Sequence, residues 1–185
     1  MHSLLELTKR AVENYVKKKE IISVPENFPE EFLKRKTGVF VTIMKNGNLR
    51  GCIGTYLPLR ENIAQEVIFN AISAASEDWR FGPIKEEELP YLSYTVYLLK
   101  EPKLVRDLKE LNPKKYGIIV KTLPISEKEN VILNGHFVPK TGLLLPDLEG
   151  VDTIEKQILI ACQKAGIDPE KEKFLIYKFE VEKYQ

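Results

Sequence analysis

Apolar residues change period several times along this chain, and each change predicts an element. Leu4, Leu5, Thr8, Val12, Tyr15 and Val16 recur at helical spacing, so residues 3–19 read as an amphipathic helix with Ser3 as its N-cap. SVPENFPEEF is punctuated by prolines and reads as an extended connector. GVFVTIM (38–44) and LRGCIGT (49–55) then flank Lys45-Asn46-Gly47-Asn48. Asn-Gly between two apolar runs is a hairpin signal, because the tight turn needs positive φ. Pro58 closes the second strand. Residues 60–76 carry Ile63, Val67, Phe69, Ile72 and Ala75 near a 3.6 period and predict a helix. LSYTVYLL (92–99) alternates and is rich in aromatic and β-branched residues, which predicts a strand.

The order then recurs. YGIIVKT (116–122) resembles TGVFVTI, VILNGHFV (131–138) carries a second Asn-Gly hairpin at Asn134-Gly135, and GLLLP (142–146) ends at a proline. TIEKQILIACQKAG (153–166) reads as a helix stopped by Gly166, and FLIYKFEVEKY (174–184) as a closing strand. Each half runs hairpin strands, proline stop, helix, strand. This predicts an internal duplication of β-β-α-β type, with units at roughly 38–99 and 116–184. The fold class is α+β: a mostly antiparallel curved sheet with flanking helices. The length of 185 residues suits one domain spanning 1–185, or two small lobes sharing a core.

Composition narrows the function. With 28 basic and 27 acidic residues the net charge is +1, which argues against a protein built around a phosphate backbone. KKKE (17–20) and NPKK (112–115) read as solvated, since no aromatic ladder interleaves them. Cys52 and Cys162 form no disulfide framework, and with only His2 and His136 no zinc site is expected. The segment MHSLLELTKRAVENYVKKK is charged throughout and lacks the apolar run of a signal peptide. No stretch approaches the roughly 18 apolar residues of a membrane helix. These features predict a soluble cytoplasmic protein with reduced thiols.

The densest chemistry is NLRGCIGTYLPL (48–59). A two-residue turn at Asn46-Gly47 predicts that Ile43 pairs with Arg50 and Val41 with Cys52, placing Arg50 and Cys52 on one face. Apolar residues on both faces predict a hairpin covered on both sides. Arg50 then needs a carboxylate, with Asp78 first and Glu87 or Glu88 behind it. Three readings compete for Cys52. It is a small core residue; or a thiolate favoured by Arg50, with His136 as a distant base; or part of an anion site made by Gly51, Gly54, Arg50, Arg60 and the start of the 60–76 helix. A core cysteine opposite Val41 would be desolvated and a poor nucleophile. In SEDWRFGP (76–83) Asp78 and Arg80 flank the single tryptophan. This reads either as a helix exit with Trp79 or Phe81 packed down, or as a cleft wall beside Arg50. KEEEL (85–89) reads as a solvated helix start or loop.

LRGCIG from Leu49 to Gly54, the Asp-x-Arg-Phe-x-Pro pattern at Asp78, Arg80, Phe81 and Pro83, and the acidic stretch Glu87-Glu88-Leu89 together resemble the AMMECR family, in order and spacing, over roughly residues 3–184. The resemblance implies a two-lobed α+β fold with an internally duplicated, barrel-like sheet, and no established activity. It implies a modification pathway shared with the Memo-like and radical SAM proteins beside which relatives occur. Where the family often reads Leu-Pro-Gln-Val, this chain has Leu145-Pro146-Asp147-Leu148. The expected site is a cleft around Arg50, Gly51, Cys52 and Gly54, with Asp78, Arg80, Glu87 and Glu88. No metal or cofactor is implied. The two functional expectations are an enzyme or enzyme subunit, and a non-catalytic adaptor recognising a peptide or nucleotide.

Overall fold

A computed structural model describes residues 2–123, 132, 133 and 136–185, the side chains of 132, 133, 136 and 137 excepted. The chain divides into two compact units, residues 1–99 with 182–185, and residues 100–181.

In the first unit α1 (Ser3–Lys18) begins one residue earlier than a Ser3 cap would place it. His2 is the N-cap, its Nδ1 accepting the Leu4 N–H at 3.2 Å, and Lys19 ends the helix at φ 60°. The proline-rich connector is not wholly extended. Pro29 starts the short helix α2 (Glu30–Lys34), which buries Phe32. Strands β1 (Val39–Lys45) and β2 (Asn48–Thr55) form the expected hairpin, with Asn46 and Gly47 both at positive φ. Helix α3 (Ile63–Ser76) starts where the Asn62 side chain accepts the Gln65 N–H at 3.0 Å, three residues later than the periodicity suggests. Strand β3 (Leu92–Leu99) pairs antiparallel with β1. Val39, Val41 and Ile43 of β1 and Val96 and Leu98 of β3 are buried in one core with α1 and α3. The alternate residues Phe40, Thr42 and Met44 are only partly buried, so this hairpin is not sealed on both faces as expected.

In the second unit β4 (Lys103–Leu104) and β5 (Gly117–Thr122) are followed by β6 (Ile132–Leu133) and β7 (His136–Phe137), an antiparallel pair whose turn, Asn134-Gly135, lies outside the described residues. Strand β8 (Thr141–Leu144), helix α4 (Ile154–Ala165) and strand β9 (Phe174–Phe179) complete it. Gly166 caps α4 at φ 64°, as read from the sequence. The closing strand is two strands. It breaks at Glu180, and β10 (Val181–Tyr184) joins the first unit's sheet.

The sheets are separate and open. Their strand orders are β10-β3-β1-β2 and β4-β9-β5-β8, and no closed barrel forms among the described residues. The barrel-like curved sheet is therefore corrected to two four-stranded sheets, the first packed against α1 and α3 and the second against α4. No helix among the described residues is long and apolar enough to cross a membrane.

Candidate functional site

The hairpin register departs from the expected one at a single point. Lys45 pairs with Asn48 and Met44 with Leu49, but Ile43 pairs with Gly51, Thr42 with Cys52 and Val41 with Ile53. Arg50 is the extra residue of a β-bulge and opposes nothing. The bulge puts Gly51 on the core face, where a Cβ would collide with the Ala74 carbonyl of α3. Close approach of strand and helix thus requires glycine here. Cys52 turns to the opposite face, across from Thr42 rather than Val41. It is partly exposed, and Thr42 Oγ1 donates to its Sγ at 3.2 Å. The expectation of a desolvated core thiol is overturned by this one-residue shift.

The bulge also aims Arg50 away from the ladder. Its Nε and Nη2 donate to Oε2 and Oε1 of Glu88, each at 2.9 Å. Nη1 and Nη2 reach the carbonyls of Gly82 and Pro83, each at 3.0 Å. Glu88 also accepts from Lys45 Nζ at 2.9 Å and from the Lys85 N–H at 3.0 Å. It lies in a 3-10 turn over Glu86–Tyr91 and is buried, so KEEEL is not a solvated stretch throughout. The Arg50 guanidinium, with the Lys85 amide and Lys45, holds the Glu88 carboxyl far below the usual carboxylate range. The acidic partner is therefore Glu88 rather than Asp78. Glu87 is exposed and has no ion-pair partner among the described residues.

Asp78 does something else. Strand β2 is a sheet edge, and Asp78 Oδ2 accepts the Cys52 N–H at 2.8 Å. Arg80 donates to both oxygens of Asp78 at 2.9 and 2.7 Å, and its Nη2 reaches the Cys52 carbonyl at 3.4 Å. The pair satisfies one donor and one acceptor that a neighbouring strand would otherwise take, and so guards the edge. Arg80 and the Cys52 amide depress the Asp78 carboxyl, which is buried. Between these two residues Trp79 is 89% exposed. The expectation that it packs down is wrong; Phe81 is also exposed, and the Arg80 guanidinium lies 5.2 Å from its ring centroid.

The anion reading fails on Glu66, which sequence reasoning missed. Its buried carboxylate accepts the N–H groups of Leu59 and Arg60, each at 2.8 Å, and the Thr55 hydroxyl at 2.7 Å. The loop amides that would cradle an anion are filled by the chain itself. Arg60 stacks on Phe69 at 3.7 Å, and Gly54 sits against Phe40. The signal was available: Glu66 and Asn70, four apart, interrupt the apolar stripe of α3. The side chain of His136, the candidate base, lies outside the described residues. No cluster of three His, Cys, Asp or Glu fit to hold a metal occurs among the described residues.

The AMMECR1 family profile matches residues 5–184. The chain belongs to the AMMECR1 family. A Thermotoga maritima protein is 45% identical over 185 residues, covering all of this chain and 98% of its own length. A Clostridium acetobutylicum protein is 41% identical over 182 residues, but the match covers only 35% of that longer protein. The crystal structure of an uncharacterised protein from Pyrococcus horikoshii superposes with a TM-score of 0.82 at 32% identity, covering 97% of this chain and 88% of that one. The names of these AMMECR1 relatives state no activity.

Proposed function

We propose that this AMMECR1 chain is a non-catalytic recognition module, with the Trp79–Phe81 arm as its binding surface. The exposure of Trp79 carries the reading. A large aromatic held in water on an ion-paired turn is the composition of an interface anchor. Arg80 and Phe81 extend it. A peptide fits better than a nucleotide, because Arg50 and Arg80 are neutralised internally and the loop amides at Leu59 and Arg60 are occupied. The module acts in the cytoplasm as a subunit of a modification system, with Memo-like or radical SAM proteins as partners. The longer Clostridium relative, in which the matching segment is one part, supports a subunit role.

We further read the chain as a single duplicated, two-lobed domain over 1–185, with repeats at roughly 38–99 and 116–184. Supporting this is a shared device. Asn70 and Ala74 of α3 match Gln157 and Ala161 of α4. Each amide donates to backbone at the entry of the first strand, Asn70 to the Val39 carbonyl at 3.1 Å and Gln157 to the Tyr116 carbonyl at 2.8 Å. Each alanine carbonyl lies where a glycine of the second strand, Gly51 or Gly142, has no Cβ.

The enzyme reading rests on one observation, the partly exposed Cys52 thiol with the Thr42 hydroxyl donating to it. The two readings separate by experiment. Trp79 is the only tryptophan, so its fluorescence reports the arm directly. Titration with a purified Memo-like or radical SAM protein from the same organism should shift its emission to the blue, and Arg80→Ala with Phe81→Ala should weaken the effect. Unchanged emission with both partners, together with turnover abolished by Cys52→Ser in the mixture, would replace the adaptor reading with the enzyme one.

A further inference from the structure

The second unit holds a cavity of about 230 Å³ between the start of β5 and the end of β9. Tyr116 and Phe179 give it aromatic walls. Phe179 is buried, its ring lying where Gly117 has no Cβ. Lys115 and Lys178 approach the Tyr116 ring, their Nζ atoms 5.0 and 5.2 Å from its centroid. The other charged groups nearby are mostly paired. Glu180 takes Lys100 at 3.0 Å and Lys115 at 3.7 Å, and Glu110 takes Lys178 at 2.8 Å. Lys103 and Glu101 also line the cavity, and neither has an ion-pair partner among the described residues. The rim therefore offers one unmatched charge of each sign beside an aromatic wall.

We propose that this cavity binds a small zwitterion with a flat apolar body, of the aromatic amino-acid class. Its carboxylate meets Lys103, its ammonium meets Glu101, and its ring lies against Tyr116. Size and charge both select this class. The cavity is smaller than the roughly 300–1,000 Å³ of drug-sized sites, which favours a small ligand over a nucleotide. The lining carries Lys100, Lys103 and Lys178 against Glu101 and Glu180, but Lys100 is taken by Glu180 and Lys178 by Glu110, which leaves a single unpaired lysine among the described residues of the lining and favours one carboxylate over a polyanion. A ligand carrying a single charge would match only one of the two unmatched rim groups. This site is independent of the Trp79 arm.

The test is an amide NMR titration of the full chain with three probes: phenylalanine, 3-phenylpropionate, which lacks the amine, and phenethylamine, which lacks the carboxylate. Phenylalanine should give saturable shifts at Tyr116, Gly117 and Phe179, and each singly charged probe should bind roughly tenfold more weakly, as expected for loss of a charge-assisted contact. Lys103→Gln should weaken phenylalanine binding by a similar factor and leave phenethylamine unaffected. Glu101→Gln should weaken phenylalanine and leave 3-phenylpropionate unaffected. Both side chains are exposed, so unperturbed amide spectra will confirm that the variants fold. No saturable shift with phenylalanine, or equal binding of all three probes, would overturn the proposal.

Discussion

Arg50 grips both carboxylate oxygens of Glu88 at 2.9 Å across 38 residues of chain. The pair is nearly buried, with side-chain exposures of 13% and 11%. Removing Arg50 leaves the Glu88 carboxylate, in a poorly hydrated place, with only Lys45 and the Lys85 N–H as partners. Arg50→Met should therefore destabilise the protein by about 3 kcal/mol, the low end of the range for breaking a buried ion pair, because Lys45 remains beside Glu88. Chemical denaturation measures this directly. The double variant Arg50→Met, Glu88→Leu should recover part of the loss, because no buried charge is stranded and Lys45, which also loses Glu88, reaches solvent. An Arg50→Met protein as stable as the parent would remove the pair from the fold's essential contacts.

The same carboxylates predict acid behaviour. Glu88 and Asp78 are both held below their ordinary values of 4.5 and 3.8 in the folded state. A depressed carboxyl contributes stability that is fully present above its unfolded value and lost as pH falls towards its folded one. Stability should thus be level near neutrality and fall below about pH 4.5. Glu88→Gln should be less stable than the parent at pH 7, and the gap should narrow at pH 3. A gap of equal size at both pH values would show that the ionised carboxylate is not what stabilises the loop.

Much of the fold was legible because hydrophobic period is a local signal. The two long helices of the first unit, its hairpin and the Gly166 cap follow from it. The bulge at Arg50 was not legible. Counting from Asn46-Gly47 assumes uniform pairing, whereas Gly51 must face the Ala74 carbonyl of α3, a contact made across 23 residues. That slip reversed the face of Cys52 and hid the role of Asp78, whose partner is a backbone amide of an edge strand. Trp79 was misread for a different reason. Its size favours burial, and nothing local records that its neighbours are already paired with each other.

The glycines at 51 and 142 offer a test of the duplication. In each case an added Cβ would strike a backbone carbonyl of the packed helix, Ala74 or Ala161, and backbone cannot rotate away as a side chain can. Gly51→Ala and Gly142→Ala should each cost about 1–3 kcal/mol, the usual penalty of overpacking. Gly47→Ala, with open space but φ of 80°, should cost less and only through backbone strain. A neutral Gly142→Ala beside a severe Gly51→Ala would argue that the two glycines are not equivalent.

Cys52 and Cys162 should differ sharply as nucleophiles. Cys162 is fully buried in the second unit's core, and burial pushes its thiol upwards. It should resist iodoacetamide until denaturant is added. Cys52 is partly exposed, so it should label in the native protein, more slowly than in the unfolded chain because strand β2 and the Asp78–Arg80 clamp restrict approach. Arg80→Ala removes the guanidinium that lies over the Cys52 carbonyl and should speed this labelling by opening the edge. If the guanidinium instead activates the sulfur, Arg80→Ala should slow it. Peptide mapping after timed labelling across pH 6 to 9 reads both rates at once. Native labelling of Cys52 as fast as in denaturant, retained at pH 6 and reduced by Arg80→Ala, would mark a thiolate activated by its neighbour and favour the enzyme reading over the adaptor.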